Sequence, residues 1–237
     1  MILAGLVTLR VRIKKKLIFM NSKGFIFDLD GVIVDTAKYH YLAWKNLAND
    51  LNIPFTEAQN EELKGVSRVE SLRKILDWGR LSISEADFDS IMDGKNNKYL
   101  SYIANMNKEE ILPDVKRTLD FLISKEQKIA LGSASKNARP ILEKVSLIDL
   151  FEAIVDGNNV TKAKPNPEVF IKAAAEIEVS SKDCIVFEDS IAGIQAANSA
   201  GMISIGIGDK EILFEADYVF KDFTEMSNEF LIELINK

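Results

Sequence analysis

Asp28 and Asp30 stand two residues apart at the end of a short apolar run, Gly24-Phe25-Ile26-Phe27. On an extended strand, side chains two apart leave from the same side, so both carboxylates can face one reacting group. A carboxylate can attack phosphorus to form an acyl phosphate, dividing a difficult transfer into two steps. A second acid beside it can give a proton to the substrate oxygen and take it back. Such a transfer needs counter-charge, and magnesium takes carboxylate oxygens together with phosphate oxygens. Glu188 and Asp189, after the apolar run Cys184-Ile185-Val186-Phe187, are suitable further ligands. Ser133, after Lys128-Ile129-Ala130-Leu131-Gly132, can donate to a phosphoryl oxygen. Lys164, before Pro165, can neutralise charge that develops in the transition state. Taken singly, each has an ordinary reading: a D-x-D triplet as a solvated turn, an acidic pair as an exposed loop, a lysine as surface. Their weight lies in their order, each at the tip of an apolar strand or just before a helix.

The segments that must position them alternate. Short apolar runs ending in polar tips read as buried parallel strands. Helical patterns fall between them, at about Val115 to Ser124, Ala138 to Val145, Pro167 to Ile177 and Ile191 to Ala200. Ala153-Ile154-Val155 and Ile203-Ser204-Ile205 add two more strands. This alternation predicts an α/β fold with a Rossmann-like parallel sheet, whose ligands gather at the carboxyl ends of the strands. Asn166 is a candidate helix cap with Pro167 at the first helical position, and Ser190 caps a helix that Gly201 ends.

Between Thr36 and about Glu110 the pattern is helical, without an intervening apolar strand. It predicts an inserted helical cap over residues 36–110, dividing a catalytic core into 21–35 and 111–237, with Pro113 as the return hinge. Residues 1–20 place an apolar stretch before a basic run, the reverse of a secretory signal, and the apolar part is too short to span a bilayer. They are expected to lie outside the fold.

The 237 residues suffice for a large core, and the single cysteine, Cys184, can form neither an internal bridge nor a thiolate zinc cluster, which suits a reducing cytoplasm. A net charge of −6 provides no basic field for nucleic acid. An anionic substrate must therefore be held by local groups. No coiled-coil heptad appears, and a monomer is expected.

The motifs Phe27-Asp28-Leu29-Asp30-Gly31, Ser133, Lys164 and Glu188-Asp189 together resemble the signature of the haloacid dehalogenase superfamily over nearly everything after Met20. Longer strings are most similar to its β-phosphoglucomutase family. These are Asp30-Gly31-Val32-Ile33-Val34-Asp35-Thr36-Ala37, Lys64-Gly65-Val66-Ser67-Arg68, Gly132-Ser133-Ala134-Ser135-Lys136-Asn137 and Phe187-Glu188-Asp189-Ser190. Gly132, where an alanine is usual, and Asn166 are departures that remove no catalytic group.

The resemblance implies interconversion of β-glucose 1-phosphate and glucose 6-phosphate, with Asp28 as nucleophile and Asp30 as general acid/base. It implies Mg2+ at Asp28, the main-chain oxygen of Asp30, and Asp189, with Glu188 close by, and glucose 1,6-bisphosphate as activating phosphoryl donor. Ser133 and Lys164 would grip the transferred phosphoryl group, with Ala134, Ser135, Lys136 and Asn137 lining the same pocket. On the cap side Arg68 would bind the second phosphate, and Lys95 and Asn96 would face the reacting site and sugar. His40, Trp44, Lys64, Gly65, Val66, Ser67 and Ser71 would complete that wall. His40 also has an ordinary reading as a packing residue beside Tyr39 and Trp44. The competing enzyme reading is a sugar-phosphate phosphatase of the same superfamily. A phosphoacceptor receiver domain also uses an aspartate on a parallel sheet, but has no helical insertion after its first acids. Small sugar phosphates are the expected partners, with no nucleic acid and no membrane.

Overall fold

A computed structural model describes residues 22–64 and 66–237. The expectations for residues 1–20 and for Gly65 lie outside the described residues. Among the described residues the strands are β1 Gly24–Phe27, β2 Lys128–Gly132, β3 Ala153–Val155, β4 Cys184–Glu188, β5 Ile203–Ile207 and β6 Tyr218–Phe220. They pair in parallel as one sheet in the order β3-β2-β1-β4-β5-β6. Strand order reverses between β1 and β4, so the crevice beyond their carboxyl ends is the topological switch point of a doubly wound α/β sheet. Phe27 lies level with Leu131 on one side and Phe187 on the other, which brings the residues that follow these strands to one edge.

Both faces of the sheet are covered, and side-chain alternation sorts the strand residues between them. Phe25, Phe27, Ile129, Leu131, Ile185 and Phe187 pack on one face with Val115, Leu119 and Leu122 and with the C-terminal Leu231 and Leu234. Ile26, Ala130 and Val186 pack on the other with Val169, Phe170, Ala173, Ala196 and Ala197. The rings of Phe27 and Phe187 stack at 4.5 Å beneath the site, giving its floor a rigid base.

Helices Ala37–Asp50, Glu57–Glu61, Arg68–Trp78 and Glu85–Ile103 follow β1 before the chain returns to the sheet. They share a separate apolar cluster of Trp44, Leu47, Ala48, Ile53, Phe55, Leu63, Leu72, Ile75 and Leu76. The outgoing and returning chains run side by side: Asp35 N donates to Glu110 O at 3.0 Å and Leu112 N to Ile33 O at 3.0 Å. Lys38 and Tyr39 both bond the Glu110 carboxylate, at 2.7 and 2.6 Å.

Helices Val115–Ser124, Ala138–Lys144, Glu168–Glu176 and Ile191–Ser199 stand where the periodicity predicts them, within a residue or two. Ser190 caps the last of these through Gly193 N. The Asn166 expectation needs correction. The helix begins at Glu168 with Pro167 as its cap residue, and the Asn166 carboxamide oxygen accepts from Glu168 N at 3.1 Å. Strand β6 and the terminal helix Asn228–Asn236 were not expected. The strand is a half-buried, three-residue edge, too short for alternation to register.

Candidate active site

Asp28 follows β1 directly and is anchored by its own N–H, which donates to Phe187 O at 3.0 Å. Its carboxylate is buried, with Oδ2 accepting from Asp30 N at 3.0 Å and Oδ1 from Lys164 Nζ at 2.6 Å. Lys164 also bonds Glu188 Oε1, and all three side chains are shielded from solvent. Burial pushes the Asp28 carboxyl up to about 7, opposed by the Lys164 charge and assisted by Glu188 and Asp30. Against the cost of burial, Asp28 and Glu188 hold the Lys164 ammonium above its ordinary value. Burial and then the charges of Glu188 and Asp28 raise Asp189 well above the carboxylate range.

The Glu188 expectation changes in the fold. Its Oε2 accepts from both N–H and Oγ of Ser190, at 2.9 and 2.8 Å, while Oε1 meets Lys164. Both oxygens are engaged, so Glu188 holds the lysine in place and is not free to ligate a metal. Among the described residues no three acid, histidine or cysteine side chains converge on a metal position. Asp28, Asp189 and a main-chain oxygen are the groups left for one.

Two glycines make this arrangement possible. Gly31 has φ +80°, and a Cβ there would fall 2.2 Å from Asp189 Oδ2. At Gly193 a Cβ would fall 1.9 Å from the Glu188 carboxyl carbon. Gly193→Ala is therefore expected to displace Glu188 and loosen Lys164. The overpacking should cost about 1–3 kcal/mol in stability, read by thermal or denaturant unfolding, and slow phosphoenzyme formation in a quench assay. Unchanged values of both would show that Glu188 does not order Lys164.

A cavity of about 420 Å³ opens beyond these strand ends. The sheet side supplies Asp28, Asp30, Ser133, Ala134, Ser135, Lys136, Asn137 and Asp189 to its wall, and the helical side supplies His40, Trp44, Lys64, Val66, Ser67, Arg68, Ser71, Lys95 and Asn96. Lys164 and Glu188 sit behind Asp28 and are not on the wall. Ser133 is fully buried, and its Oγ accepts from Ser135 N at 3.1 Å, folding the turn after β2 around it. Asn137 Nδ2 donates to Asn96 Oδ1 at 3.1 Å, joining the two sides across the cavity.

On the helical side, the Ser67 side chain accepts from Glu70 N at 3.3 Å and so sets Arg68 at the start of its helix. Arg68 has no hydrogen-bonded or ion-paired partner among the described residues, and burial lowers its guanidinium. Lys95 is buried, 3.1 Å from His40 Nδ1 and 4.3 Å from the centre of the Trp44 ring. Burial, then the Arg68 charge, brings its ammonium down to about 7. His40 stacks on Tyr99 at 4.2 Å and places Nε2 3.8 Å from Asp30 Oδ1, so its packing and site readings both hold in the geometry. Asp30 Oδ1 also accepts from the Thr36 hydroxyl. Tyr99, Thr36, Thr161 and Lys162 were missed by sequence reasoning. Tyr99 was the most accessible of these, lying four residues after Lys95 on the same helical face.

A buried aspartate clamped to a lysine at the switch point of a doubly wound sheet, beneath a cavity with cationic groups on both walls, defines the class of aspartate-based phosphoryl-transfer enzymes. Residues 22–201 match the haloacid dehalogenase-like hydrolase family, and the chain belongs to that family. It is 44% identical to the β-phosphoglucomutase of Bacillus subtilis over 213 residues, which are 89% of this chain and 94% of that protein. It is 30% identical over 202 residues to a phosphorylated carbohydrates phosphatase of Thermotoga maritima, with 82% and 91% of the two chains covered. A solved structure of β-phosphoglucomutase from Clostridium difficile superposes with a TM-score of 0.87 at 41% identity, covering 91% of this chain and 97% of that one. Among the described residues no helix is long and apolar enough to cross a membrane.

Proposed function

We propose that the protein is a Mg2+-dependent β-phosphoglucomutase that interconverts β-glucose 1-phosphate and glucose 6-phosphate through an aspartyl-phosphate on Asp28. The observation that carries the reading is that one cavity has anion-binding groups on both walls: Ser133 on the strand-end wall, above the Asp28–Lys164 pair, and the unpaired Arg68 opposite. A hydrolase needs one phosphate site. A mutase needs two, because it must hold a bisphosphate while the sugar turns over, and a guanidinium grips a phosphate bidentately. The similarity to the Bacillus subtilis and Clostridium difficile mutases supports the same choice.

The acids present fit the metal. Asp28 and Asp189 lie buried among other carboxylates with both carboxyls raised, an excess of negative charge that a divalent cation relieves, and Gly31 leaves room for Asp189. Asp28, Asp189 and the main-chain oxygen of Asp30 would hold it. When bound, Mg2+ neutralises charge on the phosphoryl group being transferred.

In the forward direction the enzyme starts as Asp28-phosphate, primed by glucose 1,6-bisphosphate. Asp30 takes the proton of the substrate 6-hydroxyl as that oxygen attacks phosphorus and the Asp28–phosphorus bond breaks. β-Glucose 1,6-bisphosphate results. After the sugar reorients, Asp28 attacks the phosphorus on C1, and Asp30 returns its proton to the departing C1 oxygen, giving glucose 6-phosphate. Ser133 and Lys164 stabilise the transferring oxygens while Arg68 holds the other phosphate. The helices of residues 36–110 act as a cap, and their closure over the sugar excludes water from the aspartyl-phosphate. His40, Trp44, Lys64, Lys95 and Asn96 form the cap-side wall of the sugar site. On this reading the protein works as a cytoplasmic monomer on small sugar phosphates.

The deciding experiment follows glucose 6-phosphate from β-glucose 1-phosphate with Mg2+ and a trace of glucose 1,6-bisphosphate, beside free phosphate release, an α-anomer control and a chelator control. Rapid, β-specific, chelator-sensitive isomerisation with little free phosphate is expected. Phosphate release without isomerisation would instead identify a sugar-phosphate phosphatase.

A further inference from the structure

Two buried polar atoms without a hydrogen-bond partner, His40 Nε2 and the Tyr99 hydroxyl, lie in the wall beside Asp30. A buried donor is rarely left unmade unless another conformation uses it. The Tyr99 hydroxyl is closed off from the cavity as well as from bulk water, so its partner must be a side chain within the wall and not the ligand. The ring is fixed on both sides, by His40 at 4.2 Å and by Lys95 Nζ at 5.1 Å from its centre. The neighbour able to serve is Thr36, which is fully buried, whose hydroxyl donates to Asp30 Oδ1, and which faces the Tyr99 phenol without bonding it.

We infer that Tyr99 is a positioning residue that takes over the Thr36 hydroxyl when Asp30 turns from Thr36 toward the substrate. The inference rests on the mutase reading for the role of Asp30. Without Tyr99, turning Asp30 would leave the Thr36 hydroxyl buried and unbonded, and the turned state would be disfavoured. With it, one hydrogen bond is exchanged for another, and the hydroxyl unpaired in the present state becomes paired. Asp30 can then move between its two settings within a dry wall.

Tyr99→Phe keeps the ring and its contacts with His40 and Lys95 and removes only the hydroxyl. The expected result is a fall in kcat of about tenfold, the worth of one buried hydrogen bond, with KM for β-glucose 1-phosphate and thermal stability unchanged. In a Thr36→Val background the same change should cost nothing further, because the two hydroxyls act as a pair. An unchanged kcat, an equal loss in both backgrounds, or a loss accompanied by a lower melting temperature would overturn the inference. A wild-type enzyme that releases phosphate without isomerising would overturn the mutase reading instead. The Tyr99→Phe comparison would then be read on the rate of phosphate release, where the same tenfold loss supports the inference and no loss overturns it.

Discussion

Asp28→Ala forms no phosphoenzyme and loses at least about 10⁴-fold in mutase turnover, the scale expected when a covalent nucleophile is removed. Acid-quench trapping of the aspartyl-phosphate and the coupled assay both report it. The protein itself should remain folded. Truncating one partner of a buried ion pair is usually costly because the other charge is stranded. Here Lys164 keeps Glu188, which bonds it directly, and the charge removed belongs to a site crowded with Asp30, Glu188 and Asp189. Melting temperature at neutral pH should therefore hold or rise, separating loss of chemistry from loss of fold. Near-wild-type turnover by this variant would remove Asp28 from the mechanism and with it the proposed function.

Arg68→Ala should split the two activities. Its guanidinium is on the cavity wall, unpaired among the described residues and not needed by the helix it begins, which Ser67 caps. Losing a bidentate, charge-assisted contact to the distal phosphate costs about 3 kcal/mol, or about 10²-fold in mutase turnover. Hydrolysis of the aspartyl-phosphate uses Asp28, Asp30, Ser133 and Lys164 and should be little affected. The measured ratio of isomerisation to phosphate release should fall accordingly. Arg68→Lys retains charge without the planar fork and should recover only part of the loss. If Arg68→Ala leaves isomerisation intact, the second phosphate is held elsewhere in the cavity.

A second effect of Arg68 follows from the same geometry. Its charge helps to lower both Lys95 and His40 after burial has done so. Three basic groups therefore face the cavity with little carboxylate to balance them, apart from Asp30. A dianionic phosphate arriving on this wall supplies the missing counter-charge.

Much of the catalytic edge was readable along the chain because the relevant signals are local. An apolar run ending in Asp-x-Asp, Gly-Ser or Glu-Asp marks a buried strand and its polar tip within a few residues, and parallel strands must present those tips together. The helical stretch between Thr36 and Glu110 was visible from periodicity in the same way. Strand β6 was not, being a three-residue edge that is half-buried throughout. What each tip residue does depended on partners far away. Lys164 reaches Asp28 across 136 residues of sequence, and its second bond, with those from Ser190, turns Glu188 from an apparent metal ligand into the group that holds the lysine. The buried, partly discharged Lys95 and the unpaired Tyr99 hydroxyl likewise arise only where helices pack. Residue order along the chain thus determined which chemical groups exist and at which strand ends they stand. Packing decided which of them are dry, which are paired and which remain free for substrate, because desolvation and Coulomb attraction depend on through-space neighbours that local patterning does not record.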